Sequence, residues 1–412
     1  MTSKKVAIIG AGISGLTLAY FLNKNQPNLS IEIFEKESKP GGKIESISTD
    51  IGNFSFGPKT ILMKKGSALE SLIQNLGLTE ELLTPNKSAK KRYIVYQDKL
   101  VALPQNIFSF LKAPFVYMIL PFFKELFVKK YAYEETVEEF FIRRFGENIT
   151  NYLIDPLVKG IYGGGVKELS CNVAFPLFKE LENSYGSLLK GMLLRKKEKR
   201  NIISFSNGLS TLVDRLKKNI NAKLIFENEI TNLSTLNHDH IFLALDYSGL
   251  KKLVPDIFST FNFFAKSITQ VVLGYKKKAT FEGFGCLVPS IEKSKVLGIL
   301  FDSCIFPNND KDIFFYTVMI DGAEEKDDFY LELAKQHVKK YLELDENPIT
   351  QKVKKYQDGI IHPKKGHRKH YELFLNQFYK LYPKCTLLGS GLNGVSVADQ
   401  IENAYNFSKK DL

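Results

Sequence analysis

The thirty residues VAIIGAGISGLTLAYFLNKNQPNLSIEIFE, from Val6 to Glu35, constrain the fold more than any other stretch of the chain. The apolar run VAII reads as a short buried parallel strand. Gly10, Gly12 and Gly15 follow at the spacing G-x-G-x-x-G. The first glycine permits a tight turn, the second lets the backbone approach a pyrophosphate, and the third lets a helix pack close to the strand. Leu16, Ala19, Tyr20 and Leu22 then repeat at helical spacing. The N-terminus of that helix offers free N–H groups and the positive end of its dipole to phosphates. The segment SIEIFEK reads as a second strand, ending at Glu35, where an acidic side chain binds the ribose hydroxyls. One dinucleotide is therefore expected on Gly10, Ala11, Gly12, Ser14, Gly15, Glu35 and Lys36.

The same spacing recurs at Gly389, Gly391 and Gly394, in LLGSGLNGVSVADQIENA. Only 18 residues follow Gly394. They provide one amphipathic helix and a charged tail, with no further strand to carry an acidic residue. The second match thus reads as strand, glycine turn and helix N-terminus, without a second nucleotide fold.

With 412 residues, 44% hydrophobic and 25% charged, the chain is expected to be globular, with two or three domains. The net charge of +12 suits anionic partners, whether nucleic acid, lipid or substrate. The basic residues are spread along the chain, and the one dense run, RKKEKR from Arg195 to Arg200, reads as a solvated helix end or loop. There is no nucleic-acid signature, and no nucleic-acid partner is expected. Cys171, Cys286, Cys304 and Cys385 are far apart and read as reduced thiols of an intracellular protein. The N-terminus shows no signal-peptide pattern, because KKVAIIGAG runs directly into glycines. The uncharged run from Ala113 to Phe123 is 11 residues with two prolines, too short to span a bilayer. It reads either as a core helix walling an active site or as a monotopic patch with Lys112, Lys124, Lys129 and Lys130 at the headgroups, and the two are compatible.

Further along, KRYIVYQDKLVALP reads as a strand pair around the turn QDK. Residues 135–193 read as mostly helical, broken at Gly163, Gly164 and Gly165. NIISFSNGLSTLVDRLKKNI gives strand, turn and helix, and both KLIFENEITNLS and HIFLALD read as strands returning to the nucleotide-binding sheet. An α+β region is expected from about residue 251, with strands SITQVVLGYKK, GCLVPS, VLGILFDS and IFFYTVMIDG and the helix YLELAKQHVKKYLEL. His362, His367 and His370 lack an adjacent Cys or carboxylate set in a basic segment, so no metal is expected. No nucleophile–base triad or carboxylate pair stands out.

After Glu35, PGGKIES places Gly41, Gly42 and Lys43 where the flavin-containing amine oxidase superfamily has a G-G-R segment. FGPKT, from Phe56 to Thr60, resembles the segment that follows it there. The segments KRYIVYQDKLVALP, GIYGGGVKELSCNVAFPLFKELE, GFGCLVPS, VLGILFDSCIFP and LLGSGLNGVSVADQIENA occur in the order and spacing of one member family. By these the chain resembles the protoporphyrinogen oxidases over nearly its whole length. The resemblance implies an α/β fold: a Rossmann-like FAD-binding domain of the GR2/amine oxidase type, an α+β substrate domain and a helical membrane-associated region. These would be residues 1–86, 202–250 and 383–412 for FAD, 98–200 for the helical region and 251–382 for the substrate.

The same resemblance implies FAD as cofactor, with further contacts from Gly42, Lys43, Gly57, Pro58, Lys59, Thr60 and Ile230. Gly394, Val395, Ser396 and Val397 would face the N1/C2=O edge of the flavin, where a helix N-terminus stabilises negative charge. A pyridine-nucleotide site is not expected. Arg92 matches an arginine that pairs with a substrate propionate, Leu287 and Leu300 match residues that sandwich the macrocycle, Met319 falls near a position often Phe in plant relatives, and Gly164 lines the substrate. The implied reaction takes a porphyrinogen to a porphyrin, removing six electrons in three cycles with dioxygen as acceptor and hydrogen peroxide as product. Protoporphyrinogen IX is the expected substrate, with coproporphyrinogen III the alternative. An amine oxidase or carotenoid desaturase is a more distant reading, and a non-catalytic flavin-binding membrane protein another class. A cytoplasmic location, peripheral on the cytoplasmic membrane, is expected, and a homodimer stays open. The chain departs from the family pattern in three ways: Lys43 replaces arginine, Gly165 stands where an aspartate is common, and there is no tryptophan.

Overall fold

The structure is a computed structural model that describes residues 3–106, 109, 119–196, 198–261, 263–306, 313–389 and 396–410. The chain divides into two compact units, one of residues 1–84, 198–262 and 370–412, the other of residues 85–197 and 263–369.

In the first unit the strands Lys5–Ile9 (β1), Ser30–Phe34 (β2), Lys223–Ile225 (β10), His240–Ala244 (β11) and Cys385–Leu388 (β17) form one sheet in the order β10-β2-β1-β11-β17. Every neighbouring pair is parallel. The central strand β1 is apolar because both faces are covered, as a parallel sheet requires. The helix Ile13–Asn25 joins β1 to β2 and buries Leu16, Leu18, Ala19 and Leu22. The helix Val397–Ser408 packs against it, with Phe21 and Tyr405 rings 4.9 Å apart. Two smaller sheets complete the unit: the pair Glu45–Thr49 (β3) and Gly52–Phe56 (β4), and Ile61–Lys64 (β5) with Arg200–Phe205 (β9) and Leu82–Leu83 (β6). The expected strand KLIFENEITNLS is confined to β10. Glu227 turns the chain with φ +53°, and Asn228 N–H then donates to the Glu35 carbonyl at 2.9 Å, so the ladder stops.

In the second unit Tyr93–Tyr96 (β7), Lys99–Ala102 (β8), Ala265–Tyr275 (β12), Gly285–Leu287 (β13), Val296–Leu300 (β14), Phe314–Asp321 (β15) and Thr350–Ile361 (β16) form a sheet in the order β16-β12-β15-β14-β13-β7-β8. The β7–β8 hairpin turns on Gln97 and Asp98, both at positive φ, as a two-residue turn matching strand twist demands. One face carries Tyr93, Val95, Cys286, Ile299, Val318, Val271 and Leu273, which pack with Tyr330, Ala334 and Val338 of the helix Asp327–Leu342.

Helices Ile119–Glu125, Val137–Ile149, Asp155–Tyr162, Pro176–Tyr185 and Leu188–Leu194 belong to this unit. Thr136 and Glu139 close a capping box at the start of Val137–Ile149. Phe140, Phe141, Phe145, Val158 and Leu181 share a core with Ile94 of β7. Beside it lies a buried charge network. Arg144 bonds Glu125 and Glu182, Arg143 bonds Glu135 (2.7 Å) and Glu182 (2.8 Å), and Lys179 bonds Glu135 (3.0 Å) and Glu182 (2.7 Å). Burial pulls the Glu182 carboxyl up, but hydrogen bonds from Lys179, Arg144 and Arg143 outweigh it and hold the group down at about 2.

The division differs from the expected boundaries. Residues 98–200 do not form a region of their own, because β8 lies in the seven-stranded sheet and the helices share its core. Nor do residues 251–262 and 370–382 belong with the substrate domain. The Phe374 ring packs against Phe258 (5.2 Å, tilted) and Phe261 (5.7 Å, edge to face), and both segments belong to the first unit. Among the described residues no helix is long and apolar enough to cross a membrane; residues 110–118 of the expected apolar patch, with Lys112, lie outside them.

Candidate functional site

The first unit builds a cradle from backbone. Gly10 has φ +105°, and a Cβ there would stand 2.5 Å from the Ala244 carbonyl oxygen. A Cβ at Gly15 would stand 2.1 Å from the Gly10 carbonyl oxygen, so only glycine lets the helix seat against the turn. Gly12 precedes the helix Ile13–Asn25 without any side-chain cap. PGGK folds onto this turn: Gly41 N–H donates to the Ala11 carbonyl at 2.9 Å, and Gly12 bridges Gly41. Gly42 and Gly12 face each other: a Cβ on Gly42 would stand 3.3 Å from the Gly12 Cα, and one on Gly12 3.9 Å from the Gly42 Cα.

Glu35 is 6% exposed. Its two oxygens accept from Ala11 N–H (2.8 Å) and Glu37 N–H (3.0 Å). A carboxylate has about four acceptor sites, so capacity for two hydroxyls remains. Lys36 is exposed and pairs with Glu37 at 3.6 Å. Lys43 lies 3.0 Å from Asp246, which also caps the helix Tyr247–Leu253 by accepting from Gly249 N–H. Burial raises the Asp246 carboxyl, and Lys43 with the capping bond more than reverses this. Lys43, an expected FAD contact, thus has a carboxylate partner of its own in the chain. The Lys59 carbonyl accepts from Ser204 Oγ at 3.0 Å, and Pro58 and Thr60 flank it, half-buried. A Cβ at Gly57 would overlap the Lys43 carbonyl.

Ile230 lies half-buried in the loop after β10, the loop pinned to Glu35 through Asn228. Gly394 and Val395 lie outside the described residues. Ser396 caps the helix Val397–Ser408 by accepting from Asp399 N–H at 3.1 Å, and Val397 packs on the first unit's core. Ser14 Oγ donates to Gln400 Oε1 at 3.1 Å, tying the first glycine turn to that last helix. Sequence reasoning missed Asp246 and Gln400. An aspartate between a strand and a helix was a legible cap signal, whereas nothing marked Gln400. The cradle fits a dinucleotide: pyrophosphate at the uncapped helix start, ribose at Glu35.

The second unit brings four predicted residues to one sheet face. Register pairs Leu287 with Gly298, Gly298 with Met319, and Leu300 with Thr317. Leu287 also pairs with Ile94 of β7, and Arg92 is two residues before Ile94. Arg92 is still in the ladder, since its carbonyl accepts from Leu103 N–H at 2.8 Å. Alternation along strands places Arg92, Leu287, Leu300 and Met319 on that face. The Arg92 guanidinium is exposed and sits 5.3 Å from the Phe284 ring centre.

The helix Asp155–Tyr162 lies on the same face. A Cβ at Gly160 would stand 3.0 Å from Leu287 Cδ2, and one at Gly163 3.0 Å from Ile268 Cγ2. Gly163 ends the helix at φ +66°. Gly164 is packed tightly, since a Cβ there would stand 2.8 Å from Lys266 Cε and 2.9 Å from His362 Cε1. His362 is 2% exposed, and burial, with Lys266 beside it, pushes its ring down to about 4. Gly165 has its carboxylate after all: a Cβ there would stand 3.1 Å from Asp155 Oδ1, and Asp155 accepts from Ser290 N–H (2.7 Å) and Oγ (3.0 Å). Burial pushes the Cys171 and Cys286 thiols up to about 12, so neither is a ready nucleophile.

A model of the flavin-containing amine oxidoreductases matches residues 13–370. A protoporphyrinogen oxidase of Dictyostelium discoideum is 27% identical, with 97% of each chain covered. A coproporphyrinogen III oxidase of Staphylococcus aureus is 34% identical over 54% of this chain and 52% of its own. Among solved structures, an Exiguobacterium protein provisionally named as a protoporphyrinogen oxidase superposes with a TM-score of 0.86 at 21% identity, covering 99% of this chain and 98% of that one.

Proposed function

The chain is a member of the flavin-containing amine oxidoreductase family, and we propose that it oxidises protoporphyrinogen IX to protoporphyrin IX, using FAD and dioxygen. The observation that carries this reading is the single sheet face bearing Arg92, Leu287, Leu300 and Met319. An apolar surface with a guanidinium at one side suits a flat tetrapyrrole with carboxylate arms. Leu287, Leu300 and Met319 pack on the ring, and Arg92 takes a propionate through its planar fork. Gly10, Gly12 and Gly15 with the helix start hold the pyrophosphate of FAD, and Glu35 holds its ribose. Bound FAD supplies the hydride acceptor. Each substrate gives up six electrons and six protons, and three dioxygen molecules become three hydrogen peroxide.

A second reading, coproporphyrinogen III to coproporphyrin III, is favoured by one further observation. Lys354 pairs with Gln270, and Gln270 with Met319, so Lys352 and Lys354 lie on the same face as Arg92. Additional cations suit four carboxylates better than two. Incubating purified protein with each porphyrinogen in air, and following porphyrin fluorescence and peroxide, separates the readings. Product from protoporphyrinogen supports the first, product from coproporphyrinogen alone the second, and product from neither sinks both.

The helical region is proposed to dock on a cytoplasmic membrane face. Phe127 and Leu193 are each 85% exposed. Phe127 follows the helix Ile119–Glu125, which is pinned to the helix Leu188–Leu194 where Glu125 accepts from Leu188 N–H at 2.8 Å and from Ser187 Oγ at 2.6 Å. Lys124, Lys129, Lys130 and Lys190 surround these apolar tips in the sequence. Sedimentation with anionic vesicles should carry the wild type down and leave a Phe127→Ser, Leu193→Ser double variant in solution.

A further inference from the structure

Lys159 stands out among the cations of the second unit. It lies on the helix Asp155–Tyr162, next to Gly160, whose absent side chain lets that helix settle on Leu287. The lysine is 7% exposed. Among the described residues its ammonium makes no hydrogen bond and no ion pair within 4.0 Å. Asp155, one turn back, has both carboxylate oxygens committed to Ser290. Asp321, at the end of β15 on the same sheet face, also acts on Lys159 only from beyond ion-pair distance. Burial accordingly pushes the Lys159 ammonium below the usual lysine range, and the two aspartates only partly offset this.

A buried ammonium without a direct partner carries a desolvation cost of several kcal/mol. Its neighbours show what would relieve it. Leu287 and Met319 lie on the face that the helix covers, and both are only half-buried. Nζ is absent from the sealed, unpartnered polar atoms, so it keeps some accessible surface. A flat apolar molecule on this face would bring an anionic arm to the ammonium, and the direct ion pair would offset the desolvation of both charges.

We infer that Lys159 is a second carboxylate anchor for the substrate, distinct from Arg92, and that it positions the tetrapyrrole by pairing with one of its propionates. This rests on the porphyrinogen reading above. Lysine suits the role because its single charge sits on a long flexible stem and needs no fixed fork. It is a positioning residue: it transfers no proton and takes no part in the redox step.

The test compares wild type, Lys159→Met and Lys159→Arg on the porphyrinogen that the wild type oxidises, as free acid and as methyl ester. Lys159→Met removes a buried charge at nearly constant volume, so it should fold and keep its flavin, as flavin absorbance and thermal melting would report. KM for the free acid should rise about tenfold, with kcat falling no more than about twofold, the pattern of lost ground-state positioning. The preference for acid over ester should drop by about the same factor in Lys159→Met and largely survive in Lys159→Arg. A Lys159→Met enzyme with wild-type KM and full acid-over-ester preference overturns the inference, as does one whose melting point alone changes. If the wild type oxidises neither porphyrinogen, the functional reading itself falls; if it does and Lys159→Met matches it, only the lysine anchor falls.

Discussion

The glycine cradle of the first unit and the charge-bridged helices of the second solve opposite problems. The cradle works by omission: Gly10, Gly15 and Gly41 stand where a Cβ would collide with a backbone carbonyl oxygen, and Gly12 and Gly42 face each other. The helical region works by addition, with Glu125, Glu135, Arg143, Arg144, Lys179 and Glu182 joined in a nearly dry network. One depends on conformations that few residues can adopt, the other on charges that must all be present together. A cradle therefore fails by steric insult, and a network by imbalance.

The largest effect expected from this contrast is at Gly15. Gly15→Val places side-chain atoms against the Gly10 carbonyl oxygen, 2.1 Å from the Cβ position. Purified variant protein should lack flavin absorbance entirely; a yellow, fully loaded Gly15→Val would break the idea that the cradle is built by omission. Next comes Glu182→Gln, which leaves Arg144 and Lys179 short of a counter-charge in a buried setting. Removing one member of such a network costs about 3–5 kcal/mol, read as a lower urea midpoint with flavin contacts unchanged.

The same carboxyl gives a pH signature. Its folded value, about 2, is below the ordinary 4.5, so its stabilisation is complete above pH 4.5 and is lost as the pH falls toward 2. Melting curves across that window should slope less for Glu182→Gln than for wild type, and equal slopes would remove Glu182 from the account. A smaller change is expected from Arg92→Ala. KM should rise about tenfold, roughly 1.4 kcal/mol, while FAD stays bound; loss of FAD would contradict the separation of the two sites by unit. The smallest is Ser14→Ala, which deletes one hydrogen bond to Gln400, worth about 1 kcal/mol in thermal or urea denaturation.

Legibility in the sequence followed the same divide. The strand, glycine turn, helix and second strand from Lys5 to Phe34 were readable because each signal sits within a few residues of the next. The QDK hairpin was readable for that reason too. The limits of β10 were not, since a charged turn at Glu227 ends it for the sake of a contact with Glu35. The charge network was invisible: IRRFGEN and FKELENS look like solvated helix faces until Phe140 and Leu181 pack beside them. Resemblance singled out Arg92, Leu287, Leu300 and Met319 one by one, but only strand pairing puts them on one surface. Lys159 carried no signal at all, because its burial depends on glycines at 160 and 163 meeting distant strands.

The bond between Ser14 and Gln400 also sets an order of events during synthesis. The ribosome delivers the opening βα unit hundreds of residues before the segment that buttresses it. Until then Phe21 lacks its ring neighbour Tyr405, and β1 awaits β11, which itself awaits β17. The prosthetic group can be gripped firmly only once the segment that carries Gln400 and Tyr405 has been made, so loading waits for that segment to dock on the opening unit.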